Sequence, residues 1–172
     1  MPEMRLFKND SLQDDDWQKV DDDAPLPASG KVLLSRKRWE TEKQNLSNHL
    51  AYGITIEPAA TVEDLVPDLS HFGLIAIDFP KFSDGRGYSM ARELRSYHGY
   101  KGELRATGDI LYDQLQLLAR CGFDSFDIKD ESTLALLAEG RRPDLTRFYQ
   151  PALGAEEAVD TRPWARRARK AP

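Results

Sequence analysis

Asp78 ends the apolar run Ile75-Ala76-Ile77, and the loop after Phe79 carries Pro80, Lys81, Asp84, Gly85, Arg86 and Gly87. A carboxylate at a strand's carboxyl end, then a charged Gly-rich loop, then a helical pattern, is the profile of a ligand site in a parallel α/β protein. Asp78 would supply acid–base chemistry there, and Arg105 and Asp109 are expected on the same edge as further catalytic candidates. The Asp84-Gly85-Arg86-Gly87 turn suits an oxyanion such as phosphate, sulfate or sulfite. Glycines let backbone N–H groups approach, a helix start adds partial positive charge, and Arg86 offers a forked donor. Lys81 and Arg105 would strengthen that field, so the expected anion set is Lys81, Asp84, Gly85, Arg86, Gly87 and Arg105. In the alternative reading the glycines only make the turn, and Arg86 pairs with Asp84 or Asp109.

Composition removes several other chemistries. Cys121 is the only cysteine, so the chain forms no internal disulfide and no Cys-rich metal site. His49, His71 and His98 lack ligand spacing, and no metal site is expected. Cys121 falls at the end of a predicted helix, where the dipole disfavours a thiolate, and reads as buried and inert. There is no Gly-x-Ser-x-Gly elbow, no phosphate loop ending in Lys-Ser/Thr, and no Gly-x-Gly-x-x-Gly after the first predicted strand. No cofactor is encoded by a recognisable motif, so redox chemistry would need a non-covalent cofactor or a partner's centre.

The elements that must position these residues alternate. Strands are predicted over 31–35, 53–56, 73–78, 102–107 and 123–128, the third almost continuously apolar. Helices are predicted over 36–50 with Ser35 as N-cap, briefly from Thr61 to near Pro67, over 85–97, over 110–121 capped by Asp109, and over 131–139. Gly122 reads as the stop of the fourth helix. A last extended piece is expected at 147–150. About five βα units with short connections predict a mainly parallel, flavodoxin-like open sheet, with a partial βα barrel as the alternative.

Residues 1–29 contain Asp14-Asp15-Asp16 and Asp21-Asp22-Asp23 and read as an acidic, mobile arm before a single domain over 30–150. Residues 151–172 read as a flexible basic tail with Arg162, Arg166, Arg167, Arg169 and Lys170 around Trp164. The net charge of −5 argues against nucleic acid as a partner. With no secretory pattern at the start and no apolar run near the roughly 20 residues of a membrane span, the expectation is cytoplasmic and away from membranes.

Asp78, Thr107 and Lys129 resemble the phosphoacceptor, switch and lysine positions of receiver domains. The acidic pair after the first strand is missing, and Ser35-Arg36-Lys37-Arg38 stands there instead. A closer resemblance runs through Asp78 to Ser89, Ala91-Arg92-Glu93-Leu94-Arg95, Gly102 to Asp109, Asp113-Gln114 and Arg120 to Phe126. These segments, in this order, resemble a bacterial family known as domain of unknown function 934, over about 31–150. The resemblance implies a role in assimilatory sulfite reduction: an accessory protein that binds sulfite reductase or its electron donor, or an oxidoreductase.

Overall fold

The computed structural model describes residues 5–143, 147–148, 156–159 and 162–168. An eight-stranded sheet is built from β1 (Leu6–Lys8), β2 (Ser11–Gln13), β3 (Trp17–Lys19), β4 (Gly30–Ser35), β5 (Leu50–Ile56), β6 (Phe72–Phe79), β7 (Glu103–Gly108) and β8 (Ser125–Ile128). The helices are α1 (Arg36–Glu42), α2 (Arg86–Ser96), α3 (Leu115–Arg120) and α4 (Glu131–Ala138), with 3₁₀ turns at Val66–His71 and Tyr112–Gln114. Two further strands, β9 (Glu156–Val159) and β10 (Arg162–Ala168), form a separate antiparallel pair.

Across the main sheet the order is β2-β1-β8-β7-β6-β5-β4-β3. From β3 to β8 each strand lies parallel beside its successor, and β1 joins β8 antiparallel. A flavodoxin-like sheet reverses direction at a switch point; this order has none. Steps in one direction with right-handed crossovers put the helices on one face, as in a βα barrel. The partial-barrel alternative fits.

The residues before Gly30, expected as a mobile arm, supply three strands and bury Leu6, Phe7, Trp17 and Val20. They also show how far the sheet curls. β2 and β3 are its opposite edges, yet only Asp14-Asp15-Asp16 joins them. That link spans about 14 Å at most, whereas a flat sheet of eight strands is about 34 Å wide. The edges are therefore drawn together around a concave face. Of the basic tail, β9 and β10 form strands; 151–155, 160–161 and 169–172 lie outside the described residues, as do 149–150 of the predicted last extended piece.

The two faces of the sheet differ in kind. Outward residues Val32, Leu34, Ile54, Ile56, Ile75, Ile77, Phe79, Leu104, Ala106, Phe126 and Ile128 pack against Trp39 of α1, Met90, Ala91 and Leu94 of α2, Leu115 and Leu118 of α3, and Leu137 of α4. The concave face holds a small apolar cluster, Trp17, Leu33, Leu74 and Ala76. Gly53 and Gly73 make room for the indole: a Cβ at either would stand 3.0 Å and 3.3 Å from its ring.

Beside that cluster the concave face turns polar. Arg105, 2% exposed, binds Asp15 through both terminal nitrogens (2.5 and 3.0 Å) and Glu103 at 3.0 Å. Glu103 also accepts from Lys8 (2.6 Å) and Ser125 (2.5 Å). Asp15 belongs to the link between β2 and β3, so this network ties the strap across the sheet to its middle. Among the described residues no helix is long and apolar enough to cross a membrane.

Candidate functional site at the strand ends

Parallel register places the side chains in rows across the concave face. Asp78, Thr107 and Asp127 occupy one row on β6, β7 and β8, nearest the carboxyl ends. Thr107 Oγ1 donates to Asp127 at 3.0 Å. Just beyond this row, Asp78, Phe79, Pro80, Gly108, Asp109, Lys129 and Asp130 line an open cavity of about 420 Å³. In βα barrels the end of the sheet where the strands finish is the one that carries active sites.

Arg105 is not at that edge. β7 runs to Gly108 rather than Thr107, so Arg105 falls in mid-strand, in the row of Ala76 and Ser125. Its guanidinium is consumed by Asp15 and Glu103. It is a structural cation, which removes it from both the catalytic and the anion-binding candidates.

Asp109 does lie at the edge, but does not cap a helix. The chain bends at Asp109, Leu111 is extended, and α3 starts only at Leu115 after the 3₁₀ turn. Asp109 Oδ2 instead accepts the backbone N–H of Phe82 at 3.0 Å. Gln114 Nε2 donates to the Phe82 carbonyl at 2.7 Å, and Gln114 Oε1 accepts from Leu111 N–H at 3.1 Å. The loop after β6 is thus clamped on both sides of Phe82 by the loop after β7. Phe82 itself is 52% exposed. Sequence reasoning had singled out both Asp109 and Gln114 but not this joint task, because a clamp between distant loops leaves no periodic signal.

The Asp84–Gly87 turn follows the alternative reading. Arg86 Nε and Nη2 donate to the two Asp84 oxygens at 2.9 and 2.6 Å, and its backbone N–H donates to Asp84 Oδ1 at 3.2 Å. These bonds hold the Asp84 carboxyl down at about 2. An anion arriving here meets a carboxylate and an engaged guanidinium. Gly85 has φ −77°, open to any residue, and a Cβ there would meet nothing. Gly87 serves packing: a Cβ would stand 2.5 Å from the Phe79 ring, which is 2% exposed and contacted by Tyr88 and Phe123. Lys81 is exposed, and its carbonyl accepts from Asp84 N–H at 3.0 Å.

Other assignments can be placed on the same map. Asp130 caps α4, accepting from Thr133 N–H at 2.7 Å, and Ser132 and Thr133 lower its pKa. Cys121 is buried; burial raises its thiol pKa against the opposing pull of Arg92 and Arg120, which keeps it protonated. Among the described residues no three His, Cys, Asp or Glu are grouped as a metal would need. Asp127 was missed by sequence reasoning, although its alternation with Ser125 on β8 would have placed it inward.

A second, larger cavity of about 750 Å³ was also not foreseen. It lies at the ends of β4 and β5, lined by Lys19, Asp22, Ser35, Arg36, Lys37 and Thr55 among others. Its polar groups are largely engaged: Ser35 Oγ donates to Asp22 and accepts from Arg38 N–H, while Arg36 pairs with Glu40 and Asp64.

Sheet and cavity together define a mainly parallel α/β protein of partial-barrel form, with its candidate site where the strands end. The chain belongs to the family described as bacterial protein of unknown function (DUF934), whose pattern it matches over residues 53–159. No curated protein and no solved structure matches it.

Proposed function

We propose that this chain is an accessory protein of assimilatory sulfite reduction, docking on sulfite reductase or its electron donor through the strand-end face around Phe82. The pathway comes from the association of the family. The docking role rests on one observation: Phe82 is held by its backbone on both sides while its ring faces solvent. An aromatic fixed in advance loses little freedom on binding and makes a strong interface anchor. Oxyanion binding at the Asp84–Gly87 turn is the weaker part of the reading, since Asp84 already occupies Arg86.

In the native host, the tagged chain should co-purify with sulfite reductase activity. Phe82→Ala should lower that recovery about tenfold or more while the chain stays folded, as for an anchor of roughly 2 kcal/mol. Equal recovery with Phe82→Ala would remove the docking surface from the account. A second reading, an enzyme with a non-covalent cofactor, draws on the half-buried Asp78 at the strand ends. A flavin or nicotinamide that raises the melting temperature would favour it.

A further inference from the structure

Two opposite charges line the strand-end cavity with nothing to bind. Among the described residues neither Asp78 nor Lys129 has a hydrogen-bond or ion-pair partner, and they do not pair with each other. The other two carboxylates there are each held through one oxygen by neutral donors and keep their charge: Asp109 by the Phe82 amide, Asp130 by Ser132 and Thr133.

Register sets the gap between the free pair. Asp78 lies beside Thr107, Thr107 beside Asp127, and Lys129 stands two residues past Asp127. Two strand spacings and two residue rises separate the two Cα atoms by about 12 Å. Gly108, on the strand between them, keeps the space beside Asp78 open: a Cβ there would stand 2.9 Å from Asp78 Oδ1. The cavity's 420 Å³ is within the usual range for small-ligand sites.

A simple oxyanion could satisfy Lys129 but would be repelled by Asp78, Asp109 and Asp130, and a simple cation would leave Lys129 uncompensated. We infer that this cavity is a binding site for a small zwitterion of the α-amino-acid class. Its ammonium donates to Asp78, and its carboxylate accepts from Lys129, whose flexible stem lets the head group close on the ligand. The inference uses only the cavity and its free charges and does not depend on the sulfite reading.

Calorimetric titration and thermal shift of the full chain, against a panel of the common L-α-amino acids, test it. Acetate, methylammonium and sulfate serve as single-charge-type controls. At least one amino acid should bind saturably and raise the melting temperature, with acetate and methylammonium at least about tenfold weaker. Asp78→Asn and Lys129→Gln should each weaken that binding by about tenfold or more, an amount equal to one lost charged contact. Each variant's melting temperature without ligand should be nearly unchanged, because neither side chain holds an intramolecular hydrogen bond or ion pair and both substitutions stay close to its size. Absence of saturable binding across the panel overturns the inference. So does sulfate binding that needs Lys129 and is indifferent to Asp78, which would make the cavity an anion site.

Discussion

Arg105→Met is expected to destabilise the fold by about 3–5 kcal/mol, the usual cost of removing one member of a buried charge network. The Arg105 side chain is 3% exposed and that of Glu103 12%, so water cannot replace the lost bonds. Methionine fills much of the volume, which leaves Asp15 without its counter-charge and Glu103 with Lys8 alone. Asp15 is 38% exposed and recovers part of its hydration. Glu103 is more deeply buried and recovers less, with Lys8 as its remaining counter-charge. Adding Glu103→Gln and Asp15→Asn to Arg105→Met should restore much of the stability, because the cost lies in stranded charge. Denaturant unfolding of the single and triple variants measures both. A loss below about 1 kcal/mol for Arg105→Met would mean that the network is solvated and the strap is not held as described.

The same network sets an acid limit. Burial raises the Glu103 carboxyl, but Lys8, Ser125 and Arg105 outweigh it and leave its pKa below the ordinary 4.5. A carboxyl with a depressed folded pKa binds protons more readily when unfolded. Its contribution is therefore complete above the unfolded value and is lost as pH falls through the folded one. Wild-type stability should decline below about pH 4.5, and the triple variant should show a smaller decline over the same window.

Gly108→Ala is expected to cost about 4 kcal/mol, combining backbone strain with overpacking. Gly108 has φ +103°, where L side chains are strained. A Cβ would stand 2.3 Å from the Phe79 carbonyl oxygen. That oxygen cannot retreat, since it accepts from Asp109 N–H at 2.8 Å within the paired ends of β6 and β7. Thermal or denaturant unfolding reads the effect. A substitution tolerated within about 1 kcal/mol would show that the β7 turn is looser than the structure has it. The same turn aims Asp109 at Phe82, so its loss would also release the clamp.

These residues illustrate what the amino-acid sequence displays and what it hides. The strands from β4 to β8 are legible because β4, β5 and β6 carry apolar runs and β7 and β8 alternate apolar with polar residues. Ser35 at the start of α1 is legible because capping is local. β1, β2 and β3 are not: three-residue strands among Asp runs bury only a few apolar side chains each, and charge dominates the composition. Strand order is likewise hidden, since a one-way barrel and a reversing sheet share the same alternation. Arg105 was misplaced by one residue of strand length. That shift decides whether a guanidinium ends a strand or lies in its middle. The site is half legible for a related reason. Asp78, Asp109 and Lys129 announce themselves at strand ends, while the Phe82 clamp depends on contacts between loops far apart in the chain.

Growth of a deletion strain on defined sulfur sources bears most directly on the proposed role. Cells lacking this chain should fail on sulfate and on sulfite and grow on sulfide or cysteine, with the wild-type gene restoring growth. Normal growth on sulfate without cysteine would contradict a place in sulfite reduction.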